Sequence, residues 1–272
     1  MSESTHRLDV ELVARGLARS RGQAREFVEA GSVLLDGSAA KKASTPVRAD
    51  QNLEIAAGVE GWVSRAAYKL ASALEAFGHD GLTADDKRCF DVGACTGGFT
   101  QVLLREGARE VVAIDVGHGQ LADEIASDPR VIERSGINIR DARAGDLGGP
   151  AQLLVADLSF ISLRLVMGVL RDLVEASGDL VLLVKPQFEV GRERLGKAGI
   201  VRSATNRATA IEEVVAAARA AGLKARGLRG SPIRGATGNA EYLLWLTPRP
   251  DEGLTAGQVS KLAATLSTEA AR

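Results

Sequence analysis

The sequence predicts an α/β protein in which a doubly wound, mainly parallel sheet follows a small α+β module. Three observations predict it. From about residue 64 onward, seven short apolar runs alternate with helical stretches, the pattern of a parallel sheet covered on both faces. The first sixty residues break that rhythm, with two helical stripes followed by short strand runs. The chain of 272 residues is 45% hydrophobic and 25% charged, an ordinary globular balance with length for one large or two smaller domains.

In the N-terminal module, Leu8, Leu12, Val13 and Leu17 form the first helical stripe. Gly16 weakens its last turn, and the chain breaks near Arg19-Ser20-Arg21-Gly22. Ser20 with Gln23 fits a capping box opening a second helix, which carries Ala24, Phe27 and Val28 on one face and stops at Gly31. Val33-Leu34-Leu35 reads as a strand and Asp36-Gly37 as a tight turn, with Val47 and Leu53-Glu54-Ile55 expected in later strands of the same small sheet.

Arg15, Arg19, Arg21 and Arg25 fall in one stretch without an acid, a cluster able to grip phosphates bidentately. On charge alone, a solvated helix face is the simpler reading. The pattern says more. Arg7-Leu8-Asp9, then Ser20-Arg21-Gly22-Gln23-Ala24, then Gly31-Ser32-Val33-Leu34-Leu35-Asp36-Gly37 resembles the S4 RNA-binding domain, from about residue 6 to 56. The resemblance implies structured RNA as partner and makes Arg7, Arg15, Arg19, Ser20, Arg21, Gln23, Arg25, Lys41 and Lys42 candidate RNA contacts.

After a short linker, Ser64 is placed to cap a helix with Ala67, Leu70, Leu74 and Phe77 at helical spacing. The strand candidates are Cys89 to Val92, Val111 to Asp115, Val131 to Glu133, Leu153 to Asp157, Leu180 to Lys185, Ala225 to Leu228 and Tyr242 to Leu246. Helices fit Phe99 to Glu106, Gly119 to Ala126, Ile161 to Ala176 and Thr205 to Ala221, and Gly257 to Arg272 reads as a weak terminal helix or a frayed tail. Seven strands suit the Rossmann-like fold of many S-adenosylmethionine methyltransferases, whose last strand is antiparallel.

The Gly-rich turn Asp91-Val92-Gly93-Ala94-Cys95-Thr96-Gly97-Gly98-Phe99 follows the first strand and opens a helix, where glycines let the backbone approach a ligand. Asp115 ends the next strand, positioned to accept bonds from ribose hydroxyls. The spacing is not G-x-G-x-x-G and no G-K-[ST] follows, which disfavours a dinucleotide site and excludes an ordinary P-loop. Asp157 and Lys185 end two further strands, and Glu241 begins the last. If that strand is antiparallel, all three converge beside the Gly-rich turn, and Lys69 on the preceding helix is placed to complete the group. Each residue alone has a plain alternative as cap, edge or surface charge; together on one sheet edge they point to chemistry.

Other classes fall away. A net charge of -1, from 34 Lys and Arg against 35 Asp and Glu, argues against a general nucleic-acid coat. Acid-free stretches such as Val214 to Ala240 leave room for local basic patches. Two cysteines, Cys89 and Cys95, make no disulfide framework and suit a reducing cytoplasm. No secretion signal is expected at the N-terminus, and the apolar stretch from Leu153 to Leu170 is interrupted by Asp157 and Arg164. Three scattered histidines and two close cysteines suggest no metal site.

Ser64-Arg65-Ala66-Ala67-Tyr68-Lys69-Leu70, Asp157-Leu158-Ser159-Phe160-Ile161-Ser162-Leu163, Val184-Lys185-Pro186-Gln187-Phe188-Glu189 and Gly235-Ala236-Thr237-Gly238-Asn239-Ala240-Glu241 closely resemble the TlyA family. That resemblance implies an S4 domain over residues 1–59, a linker over 60–63 and an FtsJ-like methyltransferase domain over 64–272. It implies ribose 2′-O-methylation of ribosomal RNA in ribosomal subunits, with S-adenosyl-L-methionine as cofactor. Lys69, Asp157, Lys185 and Glu241 become the Lys-Asp-Lys-Glu catalytic tetrad, and Asp91, Gly93, Ala94, Cys95, Thr96, Gly97, Gly98, Phe99 and Asp115 the candidate cofactor contacts. Two other readings compete: a non-catalytic RNA-binding assembly factor, which the complete tetrad disfavours, and a pore-forming haemolysin, a name attached to this family, for which no suitable segment is present.

Overall fold

The computed structural model describes residues 5–18, 21–29, 33–55, 61–196, 199–235, 237–250 and 253–271. The chain divides into two compact units, Met1–Arg65 and Ala66–Arg272. The expected Ser20–Gln23 capping box, the stop at Gly31 and the start of the linker at Glu60 lie outside the described residues or their side chains.

In the first unit, strand β1 (Thr5–Arg7) leads into helix α1 (Leu8–Ala14), and Gly16 at φ +71° turns the chain out of it. Helix α2 (Arg21–Glu29) follows, then β2 (Val33–Leu35), β3 (Ser38–Ala39), β4 (Pro46–Arg48) and β5 (Leu53–Ile55). Asp36 and Gly37 both have positive φ, the requirement of a two-residue hairpin, and they set Leu35 opposite Ser38. Strands β3, β2 and β5 form one antiparallel sheet. Val47 does not join it. Its strand β4 pairs instead with β1, Thr5 opposite Arg48, a partner whose three polar, exposed residues give no strand pattern to read. Leu8, Leu12, Ala24, Val28, Val33 and Val47 make the core between these pieces.

The second unit opens with α3 (Ala66–Gly78) and then alternates: β6 (Arg88–Val92), α4 (Gly98–Arg105), β7 (Glu110–Asp115), α5 (Asp123–Ala126), β8 (Val131–Ser135), β9 (Ala151–Ala156), α6 (Leu163–Asp172) and β10 (Val174–Val184). The short α7 (Pro186–Glu189), α8 (Ala204–Ala220), β11 (Lys224–Gly230), β12 (Tyr242–Thr247) and α9 (Ala256–Glu269) complete it. The seven strands lie in the order β11-β12-β10-β9-β6-β7-β8, with β12 antiparallel to both neighbours and β10-β9-β6-β7-β8 mutually parallel. Side chains alternate between faces. Phe90, Leu154, Leu182 and Leu244 pack in one core with Val166 and Leu170 of α6, Ile211 and Val214 of α8, and Val259 of α9. Trp245, offset by one residue, points the other way and meets Phe77 of α3 with ring centroids 5.6 Å apart.

Three elements differ from expectation. Helix α5 begins at Asp123 rather than Gly119, which sits at φ +59° in the loop before it. Helix α6 stops at Asp172, and Val174 already pairs with Ala151 before a register break between Val174 and Asp179. A Cβ on Gly178 would sit 2.3 Å from Val174, so only glycine lets the strand close up there. The terminal segment is an ordered helix: Thr255 and Gln258 form a complete capping box, and Val259 and Ala263 are buried.

Candidate active site

The antiparallel direction of β12 decides which residues meet. Tyr242 pairs with Val184, so Glu241, just before β12, and Lys185, just after β10, arrive at the same sheet edge. Asp157 follows β9 at that edge, its amide bonded to the Val92 carbonyl, and α3 brings Lys69. Lys69 Nζ lies 2.7 Å from Glu241 Oε2 and 3.4 Å from Asp157 Oδ2. Lys185 Nζ lies 2.6 Å from Asp157 Oδ1 and donates to Ser159 Oγ at 2.8 Å. Lys69, Lys185 and Glu241 are buried. Two ammonium groups alternate with two carboxylates, so each buried charge has an opposite neighbour, the condition under which charges tolerate removal from water. Gly235 makes room for this array, since a Cβ there would sit 2.4 Å from Glu241 Oε1.

Beside the four lies a cavity of about 540 Å³. Val92, Gly93, Cys95, Ile114, Asp115, Val116, Gln120, Ile137 to Arg140, and Asp157 to Ile161 line it, so Asp157 belongs both to its wall and to the charged array. Gly93 and Cys95 have positive φ, and a Cβ on Gly93 would press to 2.8 Å from the Asp157 carbonyl oxygen. Asp115 accepts the amides of Cys95 at 2.9 Å and Gly117 at 2.8 Å, fixing the turn against the end of β7. Asp91 is buried and accepts from Thr100 Oγ1 at 2.7 Å, while its Oδ1 has no hydrogen-bond partner among the described residues. Burial pushes the Asp91 carboxyl up to about 7, the Thr100 bonds oppose this, and the charges of Asp157 and Asp115 add to it.

The sequence-derived cofactor set therefore divides. Gly93, Cys95 and Asp115 line the cavity. Ala94, Gly98 and Phe99 are buried, and Gly97 at φ +91° is the N-cap of α4, so these shape the turn from behind. Thr96 accepts the Ala122 amide through its carbonyl. Sequence reasoning missed Ser159, Phe160, Phe188, Gln120, Asn138 and Arg140. Ser159 and Phe160 stand inside a recognised motif, but nothing in the sequence says that Phe160 is 92% exposed at φ +64°, its ring 5.4 Å from that of Phe188. Asn138 and Arg140 lie in a loop without periodicity, where the Asn138 side chain caps a single 3₁₀ turn.

In the first unit, Arg7, Arg21 and Arg25 converge on one carboxylate, Asp9, at 2.9, 3.0 and 3.3 Å. Arg15 does not face outward with them. It pairs with Glu11 at 2.9 Å and donates to the carbonyls of Gln51, Arg48 and Ala49, which makes it a brace between α1 and the segment after β4. Lys41 and Lys42 are exposed. Arg19, Ser20 and the side chain of Gln23 lie outside the described residues. Among the described residues, no group of His, Cys, Asp and Glu is placed to hold a metal ion, and no helix is long and apolar enough to cross a membrane.

Residues 62–247 match the model of the FtsJ-like methyltransferases, and residues 6–53 that of the S4 domain. The chain is 46% identical over 251 residues to the 16S/23S rRNA (cytidine-2′-O)-methyltransferase TlyA of Mycobacterium tuberculosis, covering 92% of each chain. It is 34% identical to Hemolysin A of Brachyspira hyodysenteriae, covering 87% of this chain and 98% of that one. A solved structure from Streptococcus thermophilus superposes with a TM-score of 0.76 at 36% identity over 98% of both chains. The edge of the seven-stranded sheet and the two matched domains agree: the chain belongs to the TlyA family, in which an S4 domain precedes an FtsJ-like methyltransferase domain.

Proposed function

We propose that this protein transfers a methyl group from S-adenosylmethionine to a ribose 2′-hydroxyl of ribosomal RNA, within ribosomal subunits in the cytoplasm. The observation that carries this reading is the alternating array of Lys185, Asp157, Lys69 and Glu241 at the rim of a cavity that shares Asp157 with it. The relative from Mycobacterium tuberculosis is named for cytidine-2′-O methylation of 16S and 23S rRNA, which supplies the substrate class.

The cavity fits the cofactor. Gly93 lines the cavity with no side chain, its backbone packed so closely on the Asp157 carbonyl that a Cβ would sit 2.8 Å from that oxygen, and Cys95 and Asp115 line the wall beside it. Asp115, held by two turn amides, presents its remaining lone pairs to ribose hydroxyls. When bound, S-adenosylmethionine supplies an electrophilic methyl group on a sulfonium.

The protein's part is to prepare the acceptor. A ribose hydroxyl is a weak nucleophile until its proton is shared or removed. Lys185, tied to Asp157 and Ser159, is fixed to meet that oxygen and stabilise the negative charge developing on it. Lys69 joins Asp157 to Glu241, so the array orients Lys185 before substrate arrives. Phe160, exposed beside Phe188, over whose ring the Lys185 ammonium stands, offers its face to an unstacked base of the target nucleotide.

The test is methyl transfer from radiolabelled S-adenosylmethionine to ribosomal subunits from cells lacking the gene. The expected product is RNA labelled at a ribose, recognised by resistance of the adjacent phosphodiester to alkaline cleavage. RNA without label, or with label on a base, overturns the reading.

A further inference from the structure

Asp9 carries no solvent-exposed surface, yet three half-exposed arginines close over it. Arg7 donates to both of its oxygens, and Arg21 and Arg25 to Oδ2, from two different elements. The bonds from Arg7, then Arg21, hold the Asp9 carboxyl well below the usual carboxylate range. Each guanidinium carries a fork of N–H donors, far more than one carboxylate accepts from three of them. The cluster therefore keeps an excess of two positive charges, with its remaining donors held at the surface. Arginine loses much rotamer freedom when it binds a phosphate, and a buried anchor removes part of that cost in advance.

We infer that Asp9 is a positioning residue for RNA: by fixing Arg7, Arg21 and Arg25 on one buried carboxylate, it makes a preformed site for the backbone phosphates of structured RNA. This rests on the reading of the chain as an RNA-modifying enzyme. It makes a counterintuitive prediction, because removing a negative charge from an RNA-binding surface should strengthen binding if only net charge mattered.

The experiment measures binding of the full chain to intact ribosomal subunits across a range of salt concentrations. Asp9→Asn should bind about tenfold more weakly than the wild type despite its extra positive charge, with a salt dependence shallower by about one contact. Binding that is unchanged or tighter in a folded Asp9→Asn protein overturns the inference. Arg25→Lys guards against misfolding, since Arg25 is half exposed and the substitution keeps the charge while losing the fork. It should bind at least about threefold more weakly, and wild-type affinity there also overturns the inference. Absence of subunit binding by the wild-type chain would instead overturn the RNA reading itself, and this inference with it.

Discussion

Lys185 Nζ sits 2.6 Å from Asp157 Oδ1, across the ends of two adjacent parallel strands. Neither residue is in a strand; each is the first residue beyond one. The register of β9 and β10 thus sets the spacing of the central ion pair, and Asp157 passes it on to Lys69 through its other oxygen.

Lys185→Ala should lower methyl transfer by about a hundred- to a thousand-fold or more, the scale expected when a charge-stabilising donor is lost. Affinity for S-adenosylmethionine, measured by calorimetry, should stay within a few-fold of wild type, because Lys185 does not line the cavity. Lys185→Arg should not restore activity: a planar, forked guanidinium does not occupy the place of a compact ammonium between Asp157 and Ser159.

Gly235→Ala tests whether the placement of Glu241 matters. The new Cβ would stand 2.4 Å from Glu241 Oε1, the far end of a flexible side chain, so the carboxylate must swing away. The fold survives such a shift cheaply, but the 2.7 Å ion pair with Lys69 does not. The expected outcome is a fall in kcat of about tenfold with a melting temperature close to wild type, an ångström-scale displacement sufficing for such a loss.

The α/β architecture was legible because buried parallel strands write themselves as short apolar runs, as in Leu153 to Ala156 and Leu180 to Val184. Asp157, Lys185 and Glu241 were legible because each directly follows or precedes such a run; Lys69 sits inside a helix and was placed with them only as the residue that completes the group, a part the resemblance then also implied. What escaped reading depends on geometry without periodicity. Strand β1 has no apolar alternation, so its pairing with β4 leaves no trace in composition. Arg15 and Arg21 are the same residue type six positions apart, yet one braces backbone carbonyls and the other faces outward over Asp9. Phe160 reads as one more apolar residue entering a helix; only the positive φ turns it out to solvent.

Phe160 combines two costs, an aromatic side chain 92% exposed and a backbone at φ +64° that a bulky residue rarely adopts. Such strain, on the order of 1–3 kcal/mol, persists where function requires it. Stacking of a base on an aromatic ring is worth about 1–3 kcal/mol. Phe160→Ala should therefore reduce kcat/KM for ribosomal subunits by about ten- to a hundred-fold, and Phe160→Trp should retain most activity. Phe160→Gly should raise the melting temperature while losing activity to a similar degree as alanine. Full activity in Phe160→Ala would remove the base-stacking role.

Asp91 predicts a pH dependence of stability with a definite sign. Its carboxyl rises from 3.8 to about 7 in the folded chain, chiefly through burial, so between those values the native state keeps a proton that the unfolded state releases. Stability from this group is thus fully present below about pH 4 and is lost as pH rises towards about 7, a change on the order of a few kcal/mol. Asp91→Asn keeps the shape and the Thr100 contact but cannot ionise. Thermal melts of the cofactor-free protein at intervals from pH 4 to 8 should show a flatter profile for the variant and a higher melting temperature at pH 7. Calorimetry should show S-adenosylmethionine affinity within a few-fold of wild type in the same protein, because Asp91 stands outside the cavity lining. A variant whose melting profile still fell between pH 4 and 7 as steeply as that of the wild type would remove Asp91 as the source of the pH dependence.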